Sequence, residues 1–127
     1  RRALFAPVPG ETHVFGALIV ARFVTRAGWR SWTEIASETG ILLDLVRRHA
    51  FDVVGLSIAC DRHVETLRDT VAALRRVRPE MAIIIGGHAV DLRADLAADV
   101  GADAGASDAP QAVAIADSLV DKARVNA

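Results

Sequence analysis

Five strand-like runs alternate along the chain with five stretches in which apolar residues recur at helical spacing. The strand-like runs cover residues 3–8, 30–36, 52–59, 81–85 and 102–106. The helical stretches cover residues 15–27, 41–49, 64–74 and 92–100, with a last one from residue 108 onward. Asp61 is expected to cap the third helix, and Asp108 to begin the fifth, with Pro110 in its first turn. The alternation predicts an α/β fold in which helices cover both faces of a parallel sheet.

The character of each run predicts its place in the sheet. Five strands of this kind commonly take the order 2-1-3-4-5, as in flavodoxin-like three-layer sandwiches. The second run is polar, which suits an edge, and the third and fourth are apolar enough to be buried on both faces. The loops after strands 1, 3 and 4 then open on one edge of the sheet, where such folds hold their ligands.

Composition sets limits on what the chain can do. Its 127 residues fit a single domain, residues 1–127, and 52% of them are apolar, which predicts a packed core. A net charge of −1 argues against binding to nucleic acid or another polyanion. Arg22 interrupts the longest apolar stretch, so no membrane span is expected. The single cysteine, Cys60, fits a reducing cytoplasm, and the start of a strand directly after Arg1 suggests a fragment of a longer protein.

Histidines and the only cysteine gather in the loops that share one edge of the predicted sheet. His13 follows strand 1, Cys60 and His63 follow strand 3, and His88 follows strand 4. His49 lies instead at a helix C-terminus, where it is expected only to favour the helix dipole. A nucleophile–base pair, a phosphate-binding loop and a phosphoacceptor aspartate after strand 3 are all missing from the sequence. Catalysis by this chain alone, FMN binding and a response-regulator role are therefore not expected.

Three short motifs fall on the elements that meet at this edge. They are Glu11-x-His13-x-x-Gly16, Ser57 within Val54-Gly55-Leu56-Ser57, and Gly86-Gly87. Together they resemble the signature of cobalamin (vitamin B12) binding domains. The resemblance extends over nearly the whole chain, including Gly101-Ala102-Asp103 and the helix start at Asp108-Ala109.

The resemblance implies that cobalamin binds with its own base displaced and with His13 as the lower axial ligand of cobalt. Glu11 would fix the tautomer of that imidazole. The detached nucleotide tail would lie between strands 1 and 3, with the Ser57 hydroxyl beside it and glycines leaving room for it. The implied cofactor-binding residues are Gly10, Glu11, Thr12, His13, Val14, Gly16, Ser57, Ile58, Ala59, Gly86, Gly87 and His88, and the implied metal ligand is His13.

One departure and one narrower similarity refine this interpretation. Glu11 stands where the family usually has Asp, and the extra methylene is expected to loosen the contact with His13 or to route it through water. Residues 4–13 resemble the sensor domains of photosynthesis regulators of the AerR, PpaA and AppA type. That similarity implies a tetrapyrrole sensor that reports light, oxygen or redox state to a partner protein, a transcription repressor.

Other functions and local structural roles stay open at this point. The chain can be the corrinoid-carrying part of a methyltransferase or mutase, a haem sensor using His13, Cys60, His63 or His88, or a scaffold without a cofactor. Locally, His13 and Ser57 can satisfy nearby polar groups, Glu11 can favour a helix dipole, and Gly86-Gly87 can form a positive-φ turn. Cys60 reads as a small buried hydrophobe, and His63 and His88 as surface residues. Cobalamin is favoured over haem because its tail gives Ser57 and Gly86-Gly87 a role.

Overall fold

The computed structural model describes residues 1–11, 13–35 and 38–125. Five parallel strands form one sheet: β1 (Arg2–Pro7), β2 (Arg30–Thr33), β3 (Val53–Ser57), β4 (Ala82–Gly86) and β5 (Ala104–Ala106). Their order is β2-β1-β3-β4-β5, so the predicted α/β flavodoxin-like fold is confirmed. The polar strand β2 lies at an edge, and the apolar strands β3 and β4 lie inside the sheet, because a strand buried on both faces needs apolar side chains throughout.

Six helices lie among the described residues. They are α1 (Phe15–Arg26), α2 (Thr39–Arg48), α3 (Val64–Val77), α4 (His88–Leu92), α5 (Leu96–Val100) and α6 (Ala109–Val125). None of them combines the length and the apolarity that crossing a bilayer requires. Pro110 lies in the first turn of α6, and Asp108 Oδ1 accepts a hydrogen bond from the Gln111 N–H at 2.8 Å, so the predicted helix start is confirmed.

The structure corrects three local predictions. The single helix expected over residues 92–100 is two short helices, because Arg93 takes an extended conformation between them. Asp61 does not cap α3; it opens a 3₁₀ turn, Asp61–His63, that leads into the helix. His49 does more than end α2, since its ring stacks on Trp32 with the ring centroids 5.7 Å apart. The second strand ends at Thr33, and its predicted end at residue 36 lies outside the described residues.

Alternate side chains of each strand point to opposite faces of the sheet and build two cores. Leu4, Leu56 and Ile83 belong to the core under α2, α3 and α5. Phe5 and Ile84 belong to the second core, under α1 and α6. Helices therefore cover both faces of the sheet. The edge at the carboxyl ends of the strands is left to the loops that follow them.

Candidate functional site

A tight turn after β1 brings Glu11 back over the edge of the sheet. The Glu11 N–H donates to the Val8 carbonyl oxygen at 2.9 Å, and Gly10 between them has φ of 90°. Proline followed by a glycine of positive φ is the pair that a type II turn requires, so Pro9-Gly10 has a structural reason. A Cβ added to Gly10 would also contact the His63 ring, at 3.6 Å from His63 Cε1.

One oxygen of Glu11 holds His13. Glu11 Oε1 accepts the His13 backbone N–H at 3.1 Å and lies 2.7 Å from His13 Nδ1. Because a carboxylate can only accept, the proton of the neutral ring lies on Nδ1, and Nε2 keeps a free lone pair. The His13 side chain is 79% exposed, so that lone pair faces outward. The expectation that glutamate loosens this contact or routes it through water is wrong, since the contact is direct.

The other oxygen of Glu11 faces the loop after β3. Glu11 Oε2 accepts the Ala59 N–H at 3.2 Å and lies 3.8 Å from His63 Nε2. The Glu11 side chain is only 3% exposed, so it is a buried anion tied to two loops rather than a helix-dipole residue at the surface. Burial acts to raise the pKa of Glu11, but hydrogen bonds from His13 and Ala59 and the proximity of His63 outweigh it and lower that pKa to about 2.

A groove opens between α1 and α6, over β3 and β4, with a cavity of about 200 Å³. Its walls are almost entirely apolar or small side chains. They are Phe5, Gly16, Ala17, Ile19, Val20, Gly55, Leu56, Ser57, Ile84, Ile85, Gly86, Gly87, Ala106, Ser107, Asp108, Ala109 and Ala112. The groove therefore lies beside β3 on the α1–α6 face, next to the loop that carries His13.

Ser57 places a hydroxyl without a partner in this groove. Its Oγ is buried and has no hydrogen-bond partner among the described residues. The alternative role of satisfying a nearby backbone group is therefore not what the structure shows. A buried hydroxyl left unpaired destabilises the fold by about 1–3 kcal/mol. Stability therefore does not explain a serine at this position, whereas a hydrogen bond to a ligand would.

The glycines near the groove serve different purposes. A Cβ on Gly16 would lie 3.9 Å from Ser57 Cβ, and one on Gly86 3.6 Å from the Ala106 carbonyl oxygen, so both would narrow the groove without a clash. Gly87 has φ of 111°, and a Cβ there would lie 2.4 Å from the Ile58 carbonyl oxygen. Of the pair, Gly86 keeps space open in the groove, whereas position 87 requires glycine because of its backbone conformation and the nearby Ile58 carbonyl.

The remaining predicted cofactor residues occupy varied places. Val14 precedes α1 and its carbonyl accepts the Leu18 N–H at 3.3 Å. Ile58 is fully buried in the core, and its N–H and carbonyl bond to Gly86 and Ala89, so it presents no free polar group. His88 is exposed at the start of α4. Thr12 lies outside the described residues.

Residues of β5 and α6, which form one wall of the groove, and of β1 and β3, which form its floor, were not predicted from the sequence. Ala106 and Ala112 line it from the β5–α6 side, and the Phe5 ring lies across Gly55 of the neighbouring strand. A Cβ on Gly55 would lie 2.4 Å from Phe5 Cδ1, so that glycine is needed for the ring to lie there. The signal was the run of small residues at 104–106, which leaves space above a strand.

A cluster on the other side of Glu11 was not predicted from the sequence. The ligand atoms of Glu11, Cys60 and His63 all lie within 4.8 Å of one another. His63 was expected at the surface, but its side chain is only 14% exposed, and Cys60 is half-buried. The spacing Cys60-x-x-His63 over a 3₁₀ turn was the available signal, because side chains three residues apart eclipse in such a turn.

Comparison with known proteins places the chain. No curated protein sequence matches it. Its fold is similar to that of a cobalamin-binding protein from Desulfitobacterium hafniense, with a TM-score of 0.84, 27% identity, and coverage of 93% of this chain and 58% of that one. It is similar also to the monomethylamine corrinoid protein of Methanosarcina barkeri, with a TM-score of 0.80, 18% identity, and coverage of 91% and 56%. The chain thus spans less than two thirds of either protein.

A third structure with a similar fold is described as CheY-like. A CheY-like protein from Pseudomonas aeruginosa matches with a TM-score of 0.67 and 16% identity over 92% of each chain. The fold is therefore shared with proteins of other kinds, and the unpaired Ser57 hydroxyl, the groove and the oriented His13 are the features that fit a corrinoid. A model of the B12 binding domain family matches residues 1–116, and the chain belongs to that family.

Proposed function

We propose that this domain binds cobalamin with its own base displaced, uses His13 as the lower axial ligand, and signals its loading to a transcription regulator. The observation that carries the proposal is the orientation of His13, whose Nδ1 is held by Glu11 while Nε2 faces outward. A neutral imidazole fixed in this way by a carboxylate is the usual arrangement of a histidine metal ligand. Cobalt bound in the corrin ring would supply the reactive or light-sensitive centre.

The groove supports the second half of the binding mode. At about 200 Å³ it is smaller than the roughly 300–1,000 Å³ of sites that enclose a whole small ligand, so it suits one arm of a larger one. Apolar walls suit the flat face of the displaced base, and Ser57 Oγ can bond to a polar atom of the tail. A haem has no such arm, which is why we do not propose haem.

The regulatory role rests on the similarity of residues 4–13 to the sensor domains of photosynthesis regulators. We place the protein in the cytoplasm as part of this proposal. A corrinoid-carrying domain of a methyltransferase is the second candidate. The similarity of the fold to the Methanosarcina corrinoid protein favours it. Both candidates share the same cofactor site and differ in what reads or uses the bound cobalt.

Cobalamin binding is tested with hydroxocobalamin and the variant His13→Ala. The wild-type chain is expected to shift the absorption spectrum to that of imidazole-ligated cobalt and to retain the cofactor on a desalting column. His13→Ala should lose the spectral shift, whereas His49→Gln, at the opposite edge of the sheet, should keep it. A wild-type spectrum in folded His13→Ala would contradict the axial-ligand assignment.

The two biological roles are separated by making the His13→Ala change in the source organism. A sensor predicts altered transcript levels without loss of growth on methylated substrates. A carrier predicts the reverse, a growth defect on such a substrate with transcripts largely unchanged. A gel-shift assay should show that the purified domain has no DNA affinity of its own, and a shift would contradict the proposed division of labour with a partner.

A further inference from the structure

We propose that Glu11, Cys60 and His63 form a binding site for Zn²⁺, separate from the cobalamin groove. A thiol, an imidazole and a carboxylate are the three ligand types that Zn²⁺ takes in proteins. In this chain they converge from two loops, with all three ligand atoms within 4.8 Å of one another. The proposal does not depend on cobalamin binding.

The distances suit a tetrahedral ion. Zinc lies about 2.0–2.3 Å from its ligands, so two ligand atoms of one tetrahedron lie roughly 3.3–3.8 Å apart. His63 Nε2 and Glu11 Oε2 already lie 3.8 Å apart, too far for a hydrogen bond between them. The widest separation in the cluster is 4.8 Å at most, and a side-chain shift of about 1 Å closes it.

Glu11 has a lone pair left for the ion. Its Oε1 accepts two contacts from His13, the backbone N–H and Nδ1, which fills that oxygen. Its Oε2 accepts only the Ala59 N–H among the described residues, so one lone pair on the side of His63 stays free. Zinc can therefore bind at Oε2 without displacing His13.

The backbone holds the other two ligands in place. Cys60 precedes the 3₁₀ turn in an extended conformation, and its carbonyl accepts the His63 N–H at 3.3 Å. The His63 ring packs over Gly10, with Cε1 3.6 Å from where a Cβ would lie. These contacts fix the Cys60-x-x-His63 pair against the turn that carries Glu11, so little ordering is left for the ion to impose.

Charge and access also fit. A thiolate and a carboxylate neutralise a divalent cation, and a neutral imidazole completes a set of three protein ligands with water as the fourth. The thiol proton leaves to solvent when the ion binds. Cys60 and His63 are partly exposed, which gives the ion a path inward.

Free Co²⁺ is the probe, because a thiolate bound to it gives a charge-transfer band. The chain has one cysteine, so any such band reports Cys60 alone. The metal-free chain, kept reduced and without cobalamin, is titrated with Co²⁺ and then with Zn²⁺. The expected result is one equivalent of tetrahedral Co²⁺ with the band, displaced by one equivalent of Zn²⁺.

Two ligand variants and a control decide the assignment. Cys60→Ser should abolish the band, and His63→Ala should weaken Co²⁺ binding by at least the roughly 10–100-fold that loss of an outer partner costs a metal site. His49→Gln should leave binding unchanged, and melting curves confirm that each variant is folded. A wild-type chain without the band, or His63→Ala with wild-type affinity, overturns the proposal. Hydroxocobalamin binding, measured in parallel, can succeed or fail independently.

Discussion

On the α2–α3 side of the sheet the buried residues are large. The twelve largest fully buried side chains of the described residues include nine leucines and isoleucines, and all nine belong to this core. On the α1–α6 side the helices present alanines, among them Ala17, Ala21, Ala112 and Ala116. The second side leaves a groove of about 200 Å³, and the Ser57 hydroxyl that faces it has no partner among the described residues. Interiors normally pack without such gaps, so the groove lies on the side where packing is less complete, which is the side our proposal assigns to the ligand.

Truncating a fully buried leucine of the α2–α3 side should show the largest effect on stability. Leu67 on α3 is fully buried, and Leu67→Ala is expected to lower the free energy of unfolding by about 2–5 kcal/mol, because the cavity cannot fill. Urea unfolding measures this. Leu92→Ala, at a residue 67% exposed, is the control and should change stability by less than about 0.5 kcal/mol. A loss below about 1 kcal/mol for Leu67→Ala would remove the contrast between the two sides.

Glu11 joins the two sides at the edge of the sheet. Its pKa falls from 4.5 to about 2 on folding, so its anionic form stabilises the native state by about 3 kcal/mol. That contribution is present above pH 4.5 and is lost as the pH falls to about 2, because the unfolded chain binds the proton first. Unfolding measured from pH 7 to 2 should show this loss in the wild type and not in Glu11→Gln. Leu92→Ala, at an exposed residue that carries no ionisable group, should keep the wild-type pH profile.

Filling the groove should separate binding from stability. Ala112→Leu places a larger side chain in the groove and is expected to weaken hydroxocobalamin binding by at least about tenfold, or 1.4 kcal/mol. Because the space is already present, the stability change should stay below about 1 kcal/mol. Ala114→Leu, on the exposed side of α6, should bind like the wild type. Equal affinities for the two variants would mean that the groove holds no part of the ligand.

The smallest effect concerns one oxygen atom. Ser57→Ala removes the unpaired hydroxyl and is expected to raise the free energy of unfolding by about 1 kcal/mol, since that group costs stability while it has no partner. Cobalamin affinity should fall at the same time. Calorimetry of both processes measures the opposite signs, and a Ser57→Ala variant that is less stable would show that the hydroxyl has a partner within the protein.

The sequence predicted the fold well because strand composition and helical spacing report burial directly. The polar β2 at the edge and the apolar β3 and β4 inside followed from that composition together with the strand order common to five-stranded folds of this kind. The division of α4 from α5 was missed because it depends on the backbone of Arg93, which no spacing reports. The motifs located His13, Glu11 and Ser57, but the far wall of the groove was missed. Ala112 contributes to it by being small, and small residues carry little sequence signal.

The direct contact between Glu11 and His13 shows a further limit of sequence reasoning. Comparing side-chain lengths suggested a looser contact, yet the position of the carboxylate also depends on the backbone turn at Pro9-Gly10, and the contact is direct at 2.7 Å. Cys60 and His63 were placed at the same edge of the sheet, but their approach to Glu11 was not predicted because it spans some fifty positions of the chain. Distances of that kind come only from the pairing of β1 with β3.

The two oxygens of Glu11 serve two loops from one delocalised charge. A ligand taken up by His13 draws on Oε1, and an ion taken up beside His63 draws on Oε2. If both sites bind, thermodynamic linkage makes any effect of one ligand on the affinity for the other reciprocal, with the same factor in both directions. One buried carboxylate would then couple the occupancy of the His13 imidazole to the occupancy of the neighbouring cation site.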